Sequence, residues 1–124
     1  MKIRIRGNSI RYRLTKSEVE TFSRTGSYGN ETKFNNNTLS YILNAKEGIK
    51  NLEADFTDNT ITIFFPKKEV ANWADSTTVG FSHSFVLDSG ITLELLVEKD
   101  FVCMDETIED QSDNYPNPKA INQS

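Results

Sequence analysis

The sequence predicts an α+β domain, mainly antiparallel β, built from two tandem ββαββ units with two short helices that close into a barrel or sandwich. Three observations carry this reading. Residues 1–34 align without a gap onto residues 52–85, with Ile10 falling on Ile61 (61 − 10 = 51) and Phe22 on Trp73. Apolar and polar residues alternate with the period of two that a half-buried strand requires. Capping signals mark one short helix in each unit.

The 124-residue chain is long enough for one compact domain. Each unit is about half that length, too short to build a sufficient core alone, so the halves are expected to share one. Apolar residues make up 36% of the chain and the mean hydropathy is −0.52, which describes a modest core under a wet surface. Eight Phe against one Trp suit a β-rich interior. Net charge is −4 and the pI is about 5.0, which argues against non-specific binding to nucleic acid or an anionic membrane. A single cysteine, Cys103, excludes an intramolecular disulfide framework and a multi-cysteine zinc site. The segment Met1-Lys2-Ile3-Arg4-Ile5-Arg6 lacks the apolar run of a signal peptide, and a cytoplasmic protein is the expectation.

In the first unit Ile3 and Ile5 alternate with Lys2, Arg4 and Arg6, which reads as a strand with a basic outer face. Gly7-Asn8 is turn chemistry, and Ile10, Tyr12 and Leu14 alternate with Arg11 and Arg13 to give the return strand of a hairpin. Thr15 with Glu18 three residues on forms a capping box, and Leu14 and Val19 form a hydrophobic staple. The helix is expected to carry Val19 and Phe22 on its buried face and to stop at Gly26. Two strands follow, near 31–35 and 38–44, joined through Asn35-Asn36-Asn37.

The second unit repeats this grammar. Leu52, Ala54 and Phe56 alternate with Glu53 and Asp55, Asp58-Asn59 occupies the turn, and Ile61, Ile63 and Phe65 form the apolar side of the return strand. Pro66 opens a helix, where its missing N–H costs nothing, and Val70 and Trp73 face the core. Strands near 78–87 and 91–98 close the unit around Asp88-Ser89-Gly90. The pairs Ile3/Ala54, Ile5/Phe56, Tyr28/Val79 and Phe34/Phe85 place the repeat in the core pattern. A shared period of this size is the usual sign of a repeated supersecondary unit. Residues 1–101 are thus read as one domain, with units 1–50 and 51–101, and residues 102–124 as an acidic, Pro-containing C-terminal segment.

The units agree in apolar positions and differ in charge. Lys2 falls on Glu53, Arg4 on Asp55, Arg11 on Thr62 and Arg13 on Phe64. The face formed by Lys2, Arg4, Arg6, Arg11 and Arg13 is the candidate surface for an anion, an acidic partner or a nucleic-acid backbone. The favoured alternative is internal balance, the bases meeting acids of the other unit or of the C-terminal segment.

Other chemistry is less supported. Cys103 with Asp105, Glu106, Glu109 and Asp110 suggests an oxygen-rich metal site, but the EF-hand spacing and its central Gly are absent, and a solvated acidic tail is the simpler account. Cys103 as a nucleophile would need a base such as His83, which sits between Phe81 and Phe85 on one side of a strand and reads as a core residue. No phosphate-binding loop, nucleophile elbow or metalloprotease motif is present. No metal or cofactor is assigned, and no enzyme activity is expected. Phe22 and Trp73 read as helix anchors. Tyr115, between Asn114 and the Pro116-Asn117-Pro118 stretch, is the candidate residue by which the tail docks in extended form, on its own domain or on a partner.

The stretches Met1 to Arg11, Leu14 to Val19, Leu96 to Cys103 and Glu109 to Pro118 resemble a family of small uncharacterised bacterial proteins, over nearly the whole chain. That resemblance implies no activity and transfers no site. Asp58-Asn59-Thr60-Ile61-Thr62-Ile63-Phe64-Phe65-Pro66-Lys67-Lys68-Glu69-Val70, followed by a helix and two strands, is similar to the AbrB-like swapped-hairpin module. It implies a barrel made from two ββαββ copies, here in one chain, and in many members DNA binding. The chain departs from those members in its acidity and in Glu53 and Asp55.

The functional expectation is a small non-enzymatic binding protein, its partner an acidic protein or anionic ligand, with the basic N-terminal hairpin as the partner surface. The alternatives are an AbrB-like DNA-binding regulator and a metal-dependent enzyme using the acidic C-terminal segment.

Overall fold

Turn chemistry fixes the first hairpin. Gly7 takes a positive φ of 55°, as the first central position of a tight two-residue turn demands, and joins β1 (Lys2–Arg6) to β2 (Ser9–Leu14). The corresponding turn joins β5 (Glu53–Thr57) to β6 (Thr60–Pro66), and there Asp58 and Asn59 both adopt positive φ, at 53° and 58°. The computed structural model that contains these hairpins describes residues 1–101 and 113–116.

Helix α1 (Lys16–Thr25) starts where the capping box predicts, with the Thr15 N–H donating to Glu18 Oε1 at 2.8 Å. It ends at Gly26, whose φ of 77° lets its N–H reach the Phe22 carbonyl at 2.7 Å. The chain then enters β3 (Ser27–Lys33) at once, four residues earlier than the alternation indicates, and returns along β4 (Thr38–Lys46). Pro66 ends β6 and stands at the N-cap of α2 (Lys67–Trp73), and β7 (Gly80–Val86) and β8 (Thr92–Lys99) complete the order. The protein is therefore α+β, its described residues forming two helices and eight strands in two four-stranded sheets.

The sheet orders are β1-β2-β8-β7 and β3-β4-β6-β5. Each hairpin is antiparallel, but the central pair of each sheet, β2 with β8 and β4 with β6, is parallel. Each sheet thus takes one hairpin from each half of the chain. The turns latch this exchange symmetrically, since the Asn8 carbonyl accepts the Glu94 N–H and the Asn59 carbonyl accepts the Ser40 N–H, both at 3.0 Å.

Between the sheets lies an aromatic cluster centred on Trp73, with ring centroids 5.3 Å from Phe65, 5.8 Å from Phe81 and 6.5 Å from Phe22. Tyr12 crosses from the first sheet and donates its hydroxyl to the Ile61 carbonyl of the second at 2.8 Å. Three of the four expected core pairs are corrected. Ile5 and Phe56 are 58% and 67% exposed, and in the pairs Tyr28/Val79 and Phe34/Phe85 both Val79 and Phe34 are exposed. All four lie within one residue of a strand end, where alternation sets the side a residue faces but the opposing sheet no longer covers it.

At Gly80 a side chain has no room, because a Cβ would lie 2.3 Å from the Val97 carbonyl oxygen and 2.9 Å from the Glu98 Cα. Both obstacles are backbone. Gly80→Ala is expected to destabilise the protein by about 1–3 kcal/mol, the usual range for overpacking. A urea titration showing no loss would mean that β7 shifts freely against β8.

Candidate partner surface

Period-two alternation on β1 and β2 turns Ile3, Ile5, Ile10 and Tyr12 to one side of the first sheet and the five bases to the other. Register sets their neighbours. Lys2 lies opposite Arg13, Arg4 opposite Arg11 and Arg6 opposite Ser9, and the parallel strand β8 brings Glu98 beside Arg13 and Leu96 beside Arg11.

Part of this face is neutralised from within. Glu98 Oε1 lies 3.1 Å from Arg11 Nε and 3.5 Å from Arg13 Nε, and Asp100 Oδ2 lies 3.3 Å from Lys2 Nζ. The balancing acids come from β8 and the residue after it, because β1–β2 and β5–β6 belong to different sheets. Glu53 pairs instead with Lys46 at 2.9 Å, and Asp55 accepts the Thr57 hydroxyl at 2.8 Å. Arg4 and Arg6 are exposed and make no ion pair among the described residues. A shallow cleft of about 170 Å³ is lined by Lys2, Ile3, Arg4, Arg11 and Arg13, and one of about 90 Å³ by Arg4, Arg6, Ser9 and Arg11.

The C-terminal residues that are described lie against the opposite end of β2. Asp113 accepts the Lys16 N–H through its carbonyl at 2.9 Å, and the Ser17 N–H and hydroxyl through its carboxylate at 3.2 and 2.5 Å. Those bonds hold the Asp113 carboxyl below the usual carboxylate range. Tyr115 packs on its own domain. Its N–H donates to the Asp100 carbonyl at 2.8 Å, its ring meets Phe101 at 5.7 Å, and Lys99 Nζ lies 5.1 Å from its centroid. Burial, reinforced by Glu20, Asp113 and Asp75, pushes the Tyr115 phenol up to about 12. Sequence reasoning did not find Lys99, which is nearly buried and donates to the Ser76 carbonyl at 2.7 Å. Its signal was the last polar position of a strand whose other alternate residues, Leu95 and Val97, are core.

His83 is half-buried on β7 opposite Leu95. Cys103, Asp105, Glu106, Glu109 and Asp110 lie outside the described residues. Among the described residues no group of His, Cys, Asp and Glu is placed to hold a metal, and no helix is long and apolar enough to cross a membrane. The geometry defines a small α+β protein of two interleaved hairpin sheets, one carrying a partly compensated basic face. Over residues 1–119 the chain matches the Family of unknown function (DUF7009), and it belongs to that family. No curated protein and no solved structure matches it.

Proposed function

We propose that this is a non-enzymatic binding protein whose basic β1–β2 face takes an acidic protein or another anionic ligand. One observation carries the reading: the acids of β8 and its end pair with Arg11, Arg13 and Lys2, while Arg4 and Arg6 stay exposed without an ion pair among the described residues. Two planar guanidiniums on one strand suit carboxylate or phosphate oxygens, which they can meet in bidentate fashion. The halves are read as copies of one ββαββ unit, a reading supported by their equivalent pairing, and the protein as a bacterial cytoplasmic one.

The interleaving of hairpins favours a second reading, the AbrB-like DNA-binding regulator, although fold alone does not carry function. Titration of a labelled oligoglutamate and a labelled DNA duplex at about 50 and 200 mM salt separates the two. The proposed reading expects oligoglutamate binding that Arg4→Gln/Arg6→Gln weakens at least ~10-fold. Thermal stability should be unchanged within about 0.5 kcal/mol, as for exposed surface positions. Binding confined to DNA with a steep salt dependence would replace it with the second reading. Binding of neither would end both.

A further inference from the structure

We propose that β1 is a docking edge, to which an extended acidic segment of a partner protein adds as a fifth strand. This rests on the basic face as the partner surface and specifies how the partner is held. The first support is main-chain geometry. β1 ends the order β1-β2-β8-β7. In a hairpin closed by a two-residue turn, the closing pair exchanges both of its hydrogen bonds and every second pair follows suit. Arg6 with Ser9, Arg4 with Arg11 and Lys2 with Arg13 are therefore the bonded pairs. The N–H and C=O groups of Ile3 and Ile5 point away from β2, and among the described residues neither makes a hydrogen bond outside the hairpin.

The second support is what surrounds that edge. The Met1 end is tied across to the other sheet, its ammonium donating to Asn30 Oδ1 at 2.8 Å, so the part of the edge left open by the described residues runs from Ile3 to Arg6. There Arg4 and Arg6 project on the outer side, and Ile5, 58% exposed, projects on the inner side. A strand laid along this edge would place alternate side chains beside Arg4 and Arg6 and the intervening ones beside Ile3 and Ile5. Acidic residues in the first set and apolar residues in the second complement it. A second copy of β1 would bring arginine against arginine, which disfavours self-pairing at an otherwise exposed edge. The other edges offer less. β5 and β7 approach each other, β5 carries Glu53 and Asp55, and β3 carries both Glu31 and Lys33. Strand addition gives affinity through the main chain and specificity through alternate side chains.

The test uses two end-capped six-residue peptides of equal composition, one alternating glutamate and valine, the other with the glutamates in one block. Both are titrated against the full chain at low salt. Amide exchange at Ile3 and Ile5 is followed by NMR. The proposal expects tighter binding of the alternating peptide and exchange at both amides slowed about tenfold or more at saturation. Ile5→Pro removes an edge donor without breaking a β1–β2 bond and is tolerated at a strand edge. It should weaken the alternating peptide about three- to tenfold, the worth of one main-chain hydrogen bond. Equal affinity for both peptides with unchanged exchange at Ile3 and Ile5 overturns strand addition and leaves the basic-face reading standing. Binding of neither peptide overturns both. The exchange measurement needs only the unmodified chain, so it decides the matter even if Ile5→Pro fails to fold.

Discussion

Trp73→Ala is expected to destabilise the protein by about 3–5 kcal/mol, the range for truncating a buried large aromatic. That is a large share of the roughly 5–15 kcal/mol that holds a typical domain together. Trp73 is 1% exposed and is the last residue of α2. Its ring touches aromatics from three other elements, Phe22 of α1, Phe65 of β6 and Phe81 of β7, so it joins both helices to both sheets. Truncation would open a void among rings already packed edge to face, and it would also remove the donor to the Thr78 carbonyl at 3.1 Å. Phe56→Ala is the matching control. Phe56 is also aromatic and also on the apolar side of its strand, yet 67% exposed, and its loss should fall within about 0.5 kcal/mol. Urea denaturation of both variants measures the difference. Similar small losses in the two would mean that the aromatic cluster does not organise the core.

That contrast marks how far the sequence was legible. Alternation, turn residues and helix caps located the eight strands and two helices of the described residues, and the alignment of Phe22 with Trp73 pointed to the two anchors that meet in the core. A period of two, however, states only the side of a strand and not its depth. Ile5 and Phe56 therefore looked like Ile10 and Ile61 until the ends of the sheets were visible. The entry into β3 was missed because Ser27-Tyr28-Gly29-Asn30 alternates weakly. Parallel pairing of β2 with β8 was hidden for another reason: a one-sided strand carries the same alternation beside a parallel or an antiparallel neighbour. The basic residues were legible as a face, but their partners were not. Glu98 and Asp100 reach Arg11, Arg13 and Lys2 only because β8 crosses from the far half of the chain.

Alkaline pH should unfold this protein, and Tyr12 should carry the largest share of that effect. Burial raises the Tyr12 phenol well above its ordinary value, with Tyr41 adding and a backbone hydrogen bond at Ile42 opposing. Tyr28 is raised by burial and by Glu18, and Tyr115 to about 12. A raised folded-state value gives stability that is complete below the unfolded value near 10. Above that pH the unfolded chain ionises while the folded chain stays protonated, and stability falls until the folded value is passed. Lys99 works the other way, because burial lowers its ammonium and rising pH removes the cost of keeping it charged. The tyrosines outnumber it. For Tyr12, fully buried by exposed area, the expected loss is about 1.4 kcal/mol per pH unit above 10. Tyr12→Phe separates this from general alkaline damage. Near pH 8 the variant should be less stable by about 1–3 kcal/mol, since the Ile61 carbonyl loses its donor. By pH 12 the wild-type protein should have lost ~3 kcal/mol through Tyr12 that the variant cannot lose, so the two stabilities should converge or cross. Parallel urea-stability curves from pH 8 to 12 would refute Tyr12 as the sensing group.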